Sequence, residues 1–343
     1  MFGRMMNNYY YGKSGKGDFR KEDLPQTRRQ LFTDTLKTRL SGLCRINLLY
    51  MLIFLPAMLL LMFSFTNVLS VTSNLMLVEQ NDYAGYVEQV TVAEEEVKLT
   101  EEQFNQLKAD GIPYNDYLDS SLMRALIWLI PCLAITGPFT AGLSYVTRNW
   151  ARDEHAFIWT DFKDAVKANW KQALVLSAIT SVLPLTVYLG WTFYGRMASQ
   201  NPIMMVPQIL VALVAFVWAI SITYMHPLAI TYDLKTKDVI RNGLLLGVAR
   251  LPMSVGIRLL HCVPAVIAGL LIWFWNPMYG MMILFAWYVL IGFSASRFVT
   301  ASYTNAVFDR YINPRIEGAK VNQGLYKNED DDEDESEEGE TEN

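Results

Sequence analysis

Three consecutive residues with metal-ligating side chains, Asp153, Glu154 and His155, are the most direct candidates for chemistry in this chain. Carboxylate and imidazole groups together make a donor set that metal ions accept. Consecutive residues on a helix diverge, however, and the other two histidines, His226 and His261, lie far along the sequence. The spacing argues against a metal site, and we expect the protein to hold no metal and no cofactor.

A second candidate is the glycine- and lysine-rich segment GKSGKGD, at 12–18. A phosphate-binding loop requires the pattern GxxxxGK[ST] between a strand and a helix, and this spacing does not match it. We interpret the segment as a linker. No serine, cysteine or paired carboxylate stands beside a plausible base, so the sequence predicts no catalytic residue and we expect the protein not to be an enzyme.

Arginine and aromatic residues are concentrated where an uncharged apolar stretch gives way to a polar one. The polar residues at this boundary are Arg148, Asn149 and Arg152. Trp150 lies between them, and Phe157 and Trp159 follow. The arginines have a topological role if they only contact lipid phosphates at a helix end. Alternatively they dock a partner, because arginine and aromatic side chains dominate such contacts. We interpret the stretch as an elbow at the membrane surface.

The composition indicates a membrane protein, since 52% of the residues are hydrophobic and only 18% are charged, against about 25% in globular domains. A bilayer core of roughly 30 Å requires about 20 apolar residues in a helix. Six stretches meet this requirement: Ile46–Phe65, Ala125–Val146, Gln172–Tyr194, Ile203–Met225, Leu259–Trp275 and Met278–Ser296. We predict an all-α polytopic bundle of about six transmembrane helices in three hairpins, the last one turning at Asn276 and Pro277.

The basic residues fall on one side of these spans. Of the 29 lysines and arginines, all but Lys98, Lys108, Arg124 and Arg196 lie in the same set of connecting and terminal segments. The positive-inside rule then places both termini in the cytoplasm. The predicted organisation is a cytoplasmic segment with an amphipathic helix (1–45), transmembrane helix one (46–66), an acidic extracytoplasmic loop (67–121), transmembrane helices two to six (122–298) and a cytoplasmic segment with a disordered acidic tail (299–343).

The extracytoplasmic loop carries its own structural signals. Thr100 followed by Gln103 is typical of a capping box, so we predict a short helix that ends at Gly111. The residues from Val87 to Val97 alternate loosely and predict a strand pair. We expect a small ordered cap rather than a catalytic domain.

Each hairpin begins with a basic amphipathic segment and continues into a span with a proline near its middle, at Pro56, Pro184 and Pro264. The predicted apolar stripes are Phe32, Leu36, Leu40 and Leu43; Phe162, Val166 and Trp170; and Ile240, Leu244 and Val248. This pattern indicates a threefold repeat, as in some transport folds. It is equally consistent with the general abundance of proline in membrane helices.

The segment GPFTAGLSYVTRNWARDEHAFIWTDFKDAVKANW resembles the signature region of the YesL-like family of bacterial membrane proteins. The matching residues are Gly137, Pro138, Ala141, Gly142, Tyr145, Arg148, Asn149, Asp161, Phe162, Asn169 and Trp170. With Arg152, they form our candidate docking or structural elbow. The long acidic loop and the acidic tail depart from compact members of the family.

The resemblance implies a bacterial plasma-membrane protein in a family whose molecular activity is unknown. It also implies an accessory role in sugar import, with a sugar-transport system as a membrane partner beside the lipid bilayer. We therefore expect a non-enzymatic accessory or scaffold component associated with carbohydrate uptake, without a nucleic-acid partner. The alternative is a transporter or permease for a neutral solute such as a sugar, since mid-span prolines free backbone groups to line a cavity.

The charge distribution predicts a topology that labelling can test. A single cysteine placed near Glu95 should react with a membrane-impermeant maleimide in intact cells, and one near Lys237 should not, because the bilayer shields the basic side. The reverse labelling pattern would overturn the orientation.

Overall fold

The protein folds as a set of long helices. The computed structural model describes residues 24–93, 96–111 and 114–326, and in this part it contains helices but no strand. The α-helices are α1 (Arg28–Gln80), α2 (Tyr83–Val92), α3 (Glu101–Asp110), α4 (Tyr114–Trp150), α5 (Ile158–Ala198), α6 (Met205–Thr231), α7 (Thr236–Ala249), α8 (Leu251–Phe274), α9 (Pro277–Trp287) and α10 (Phe293–Tyr311). The segment at 12–18 and the predicted acidic tail at 329–343 lie outside the described residues.

Six helical stretches are long and apolar enough to cross a membrane: α1, α4, α5, α6, α8 and the continuous pair α9–α10. Each covers one of the six predicted spans to within two residues, so the all-α, six-helix prediction is confirmed. The last hairpin turns where the sequence indicates. There the Asn276 side chain accepts a hydrogen bond of 2.8 Å from the Met278 amide, and Pro277 begins α9.

Several helices extend well beyond the predicted spans. At 1.5 Å per residue, the 53 residues of α1 measure about 80 Å, far more than the hydrocarbon layer. The amphipathic segments of the first two hairpins are continuous with α1 and α5. Only the third forms a separate helix, α7, which ends at Ala249, and α8 begins two residues later with Pro252 in its first turn.

The buried face of α7 differs from the predicted stripe. Val239, Gly243 and Gly247 are buried, whereas Val248 is exposed. Glycine allows this close approach, because a Cβ atom at Gly247 would lie 2.6 Å from the Ser221 hydroxyl oxygen of α6. Ile240 and Leu244 of the predicted stripe are half-buried and pack against the core, so the prediction lies one position from the most buried face. It missed the glycines because it counted only large apolar residues.

The segment between α1 and α4 forms a helical cap. The predicted short helix is present as α3, with Thr100 and Gln103 forming the capping box. The predicted strand pair is wrong, since α2 occupies most of that segment. Tyr86 and Val90, four residues apart, are buried on one face of α2, and they pack in a cluster with Phe104. Helical spacing of the apolar residues therefore prevails over the loose alternation.

The antiparallel pair α4 and α5 crosses at very short range. A Cβ atom added at Gly137 would lie 2.7 Å from the Ser177 hydroxyl oxygen, and closer still to the Ala173 carbonyl oxygen. One added at Gly142 would lie 2.8 Å from the Phe162 carbonyl oxygen. Small residues at such positions let two helix backbones touch, which is a main source of helix association in lipid.

A buried asparagine joins α1 to the last membrane helix. A π-helical turn at Tyr288–Gly292 interrupts this helix between α9 and α10. The amide group of Asn47 donates to the carbonyl oxygens of Tyr288 and Val289, both at 2.8 Å, and its oxygen accepts from the Ser294 amide at 3.0 Å. Asn47 thus satisfies backbone groups that the turn frees, as a membrane interior requires.

We predict that Gly137→Ala destabilises the protein by about 1–3 kcal/mol, because the added methyl group must push α4 away from α5. Thermal unfolding of the purified protein in detergent measures this effect. Gly256→Ala in α8 is the matched control, since a Cβ atom there meets no other atom within 4 Å. The control should be neutral or stabilising by up to about 1 kcal/mol. Equal effects of the two substitutions would contradict the close-crossing interpretation.

Candidate functional site

The central part of the candidate set, residues 148–162 and called the elbow from here on, is a short reversal between two membrane helices. α4 ends at Trp150 and α5 begins at Ile158. The amides of Arg152 and Glu154 both donate to the carbonyl oxygen of Asn149, at 3.0 and 2.8 Å. Backbone groups at the end of α4 are therefore paired within the turn, and the chain reverses without exposing them.

Two aspartates shape the turn. Asp153 adopts a left-handed backbone conformation, with φ of 55°, and its amide donates to the Trp150 carbonyl oxygen. Asp161 lies in the first turn of α5, where its carboxylate accepts a 2.8 Å hydrogen bond from the Phe157 amide. A negative charge there also interacts favourably with the N-terminal end of the helix dipole.

Aromatic packing fixes the elbow to the rest of the bundle. Phe162 and Trp150 are buried in one cluster with Leu143 and Val146 of α4. The Trp150 ring also lies against Gly42 of α1, where a Cβ atom would come within 3.0 Å of it. The elbow is consequently held by α1 and α4 together.

The two arginines of the elbow have different surroundings. Arg152 is buried, and its guanidinium donates to the Gln323 side chain at 2.8 Å and lies 3.4 Å from the Glu154 carboxylate. Arg148 donates to the Asn149 side chain at 3.1 Å, but its Nε atom is buried without a hydrogen-bond partner. Half-buried Tyr145 is among the groups that act electrostatically on Arg148.

The sequence analysis missed a carboxylate that organises this end of the molecule. Asp309, near the end of α10, is buried and forms an ion pair with Arg28 at the start of α1. The same carboxylate accepts hydrogen bonds from the Asn313 side chain and from the Asn322 amide. We name these four residues the elbow-end network. They carry no common motif and lie far apart in the sequence, so only the fold reveals them.

Tyr232, in the loop between α6 and α7, extends this network. Its hydroxyl group donates to the Asn313 side chain at 2.7 Å. Burial raises the pKa of Tyr232 to about 12, so the phenol stays protonated and remains a donor at neutral pH. The C-terminal segment is therefore bound to α6 as well as to α1 and the elbow.

The predicted site residues fall into three groups. Gly137, Pro138, Ala141 and Gly142 lie within α4 beside its crossing with α5; Tyr145, Arg148, Asn149, Arg152, Asp161 and Phe162 lie at or beside the elbow; and Asn169 and Trp170 lie further along α5. The Asn169 side chain donates to the Ala165 carbonyl oxygen of its own helix at 3.0 Å. Trp170 borders a groove of about 650 Å³ that Gln172 and Tyr232 also line.

Large aromatic side chains point away from the bundle near the elbow. Phe157 is 64% exposed, Trp159 62% and Trp170 47%. Packing inside the elbow holds the backbone that carries the first two. Exposed aromatic groups on a fixed backbone suit contact with a protein surface or with the interfacial layer of a bilayer.

The side chains that suggested metal chemistry are engaged elsewhere. Glu154 pairs with Arg152, and the His155 ring contacts the Phe157 ring edge-on at 4.6 Å between centroids. Within the described ranges no group of three histidine, cysteine or acidic side chains is arranged to hold a metal ion. The arrangement of the elbow is suited to docking and positioning, and the prediction that the protein is not an enzyme stays a prediction.

Comparison with known proteins identifies the segment that contains this site. Residues 122–191 match the family model described as "Protein of unknown function, DUF624". YesL-like proteins belong to this family, so the resemblance is confirmed over about a fifth of the chain. The matched segment comprises most of α4, the elbow and most of α5. No curated protein and no solved structure matches the chain.

We predict that Asp309→Asn lowers the free energy of unfolding by about 1–3 kcal/mol, because it removes the ion pair with Arg28 and weakens the hold on Asn322. The loss stays below that of a fully buried pair since the Arg28 side chain is 29% exposed. Thermal unfolding in detergent measures stability, and limited proteolysis should show faster cleavage within 316–326. Glu317→Gln, which removes an exposed carboxylate from the same segment, should change neither. Equal behaviour of the two variants would count against the network.

Proposed function

We propose that this multi-pass membrane protein, with its DUF624 segment, is a non-enzymatic accessory or scaffold component associated with carbohydrate uptake. The DUF624 match identifies a family and leaves its activity open, so the proposal depends on the elbow. In our proposal the elbow docks a membrane partner such as a sugar-transport system at the cytoplasmic face. The bacterial plasma membrane and the cytoplasmic location of both termini are part of the same proposal.

The observation that carries this proposal is the exposure of Phe157 and Trp159 on a backbone that is fixed from several sides. The Asp161 carboxylate accepts a hydrogen bond from the Phe157 amide at the start of α5, and Phe162 packs the beginning of this helix into the core. A surface that is ordered before binding loses little conformational entropy when a partner binds. Aromatic side chains with a nearby arginine are also the usual centres of binding energy in protein interfaces.

Lipid offers a competing explanation for the same aromatic side chains. Tryptophan is enriched where membrane helices meet the headgroup layer, and its amphipathic ring is stable there without a protein partner. Local charge does not separate the two explanations. Asp161 and Asp164 near the start of α5 would be repelled by anionic headgroups, whereas exposed Lys163, one helical turn after Trp159, would be attracted. Recovery of a bound partner is the measurement that separates them.

The link to carbohydrate uptake rests on the resemblance to YesL-like proteins, which implies an accessory role in sugar import. A scaffold that positions a transporter needs neither a nucleophile nor a coupling ion, and the elbow offers neither. A partner in the same membrane also fits the proposal well, because both proteins would present their surfaces at the same depth.

We predict that the tagged protein, purified from its own membranes in mild detergent, retains a stoichiometric membrane partner during growth on a polysaccharide. The double substitution Phe157→Ala/Trp159→Ala should reduce recovery of the partner by at least about tenfold, because it removes both aromatic anchors. Trp273→Ala is the matched control, since Trp273 is 82% exposed and lies at the C-terminal end of α8, away from the elbow. The control should retain the partner at the unchanged level.

Recovery of the protein alone under every growth condition would overturn the scaffold proposal. If the purified protein then moved sugars across proteoliposome membranes, the alternative of a transporter for a neutral solute would replace it. An outer pocket of about 380 Å³ favours that alternative, since Thr66, Asn67 and Asn74 line it with groups that bond to hydroxyls. Partner loss in the Trp273→Ala control would show that the elbow has no special role.

A further inference from the structure

Two arginines and a histidine come together near one end of the last hairpin, away from the elbow. Arg258 lies on α8, Arg297 on α10 and His226 on α6. Both arginines are half-buried, and His226 is only 3% exposed. Arg297 and Arg258 are the charged groups that act most strongly on His226, and Arg297 acts on Arg258 in the same way.

Hydrogen bonds fix the three helices beside this cluster. The hydroxyl of Tyr224 on α6 lies 2.7 Å from the Ser254 hydroxyl of α8 and 2.8 Å from the Tyr303 hydroxyl of α10. Ser254 is one helical turn before Arg258. On the same side, the Thr300 hydroxyl lies 3.4 Å from the His261 ring. The basic groups are therefore held together by neutral contacts rather than by attraction between them.

The cluster lacks an anion within the described part of the chain. No carboxylate forms an ion pair with Arg258 or Arg297 there. The Nε atom of Arg258 and the Nδ1 atom of His226 are buried without a hydrogen-bond partner. Two guanidinium groups withdrawn from water repel each other, and each retains unused donors. An external oxyanion would offset the repulsion between the two guanidinium groups and would accept hydrogen bonds from their unused donors.

The depth of the cluster indicates where such an anion resides. Arg258 precedes the end of α8 at Phe274 by 16 residues, or about 24 Å of helix, and Arg297 follows the start of α9 by 20 residues, or about 30 Å. The second length equals the hydrocarbon thickness of roughly 30 Å, and the first is about 6 Å shorter, a gap that the long side chain of Arg258 bridges by extending toward the headgroups. If the Asn276–Pro277 turn lies at one surface, both guanidinium groups lie at the phosphate level of the other leaflet.

We propose that Arg258, Arg297 and His226 form a binding site for a phosphate oxyanion, supplied by the headgroup of an anionic phospholipid. Guanidinium groups bind phosphate through paired, charge-assisted hydrogen bonds. The histidine nitrogen supplies a further donor from the buried side. The exposed apolar side chains of Leu259, Leu260 and Val263 on α8 lie beside the acyl chains of the same lipid. This site is independent of the partner docking proposed for the elbow.

The test compares lipids on the full-length protein purified in a neutral detergent. Unfolding temperature is measured with added phosphatidylcholine, with added phosphatidylglycerol and with inorganic phosphate, and native mass spectrometry counts retained lipids. We expect phosphatidylglycerol alone to raise the unfolding temperature and to remain bound. Arg258→Gln/Arg297→Gln should weaken phosphatidylglycerol retention by at least about tenfold, because it removes both charge-assisted contacts. Without lipid, the variant should be at least as stable as the native protein, since the mutual repulsion is gone.

Arg241→Gln/Arg315→Gln, which neutralises two exposed arginines, is the matched control and should retain phosphatidylglycerol at the native level. Equal retention by the native protein and the Arg258→Gln/Arg297→Gln variant would overturn the site. Stabilisation by inorganic phosphate as strong as by phosphatidylglycerol would overturn the lipid as its source. If the double variant is not recovered folded, Arg258→Gln alone is measured, and its retention must fall below that of Arg241→Gln.

Discussion

The close crossing of α4 and α5 is the contact on which the rest of the bundle depends. Gly137 and Gly142 bring the two backbones together, and the distance between them leaves no room for any side chain at these positions. The crossing sets where Phe162 meets the core and therefore where the elbow turns. α1 then packs on the same pair, through Trp150 beside Gly42 and through the hydroxyl contact of Tyr50 with Thr140 at 2.7 Å. The DUF624 match, residues 122–191, covers most of this helix pair.

A second constraint comes from the bilayer, where polar groups must find partners inside the protein. Many uncharged polar residues of the spans meet this condition, between helices as well as within them, although the buried hydroxyl groups of Ser144 and Thr223 have no hydrogen-bond partner among the described residues. Asn47 satisfies the π-helical turn, Tyr224 joins three helices, and the Trp218 indole donates to the Thr180 hydroxyl at 3.1 Å. These contacts do what carboxylate–lysine pairs do in soluble proteins, namely fix which helix faces meet, without placing charge in hydrocarbon.

The sequence was sufficient for features that depend on local chemistry. Length and hydropathy located all six spans, and the capping box at Thr100 located α3 correctly. Hydropathy could not predict where α1 and α5 begin and end, because a helix continues past the point where its residues stop being apolar. The α7 face was misjudged because glycine packs by its small size, which hydropathy does not register. Resemblance and composition identified the elbow residues in the sequence, but they did not identify the residues to which these bind, such as Gln323 for Arg152.

Asp309 shows why those partners could not be found. It lies 281 positions from Arg28, and nothing in the residues around either one indicates that the two chain regions meet. Only the assembled helices bring α1 and the end of α10 together at the elbow.

The arginines of this protein fall into two groups, according to whether they have a carboxylate partner within the described residues. Arg28 and Arg152 have carboxylate partners within the chain: Arg28 pairs with Asp309 and joins α1 to α10, and Arg152 pairs with Glu154 inside the elbow. Arg258 and Arg297 have no such partner in the described ranges, although they are less accessible than a typical surface arginine. If these arginines served only to set the topology, they could stand fully exposed to water, and no desolvation penalty would arise. Their partial burial between three helices carries an energetic penalty that a bound anion offsets, and at this depth the membrane itself is the nearest source of one.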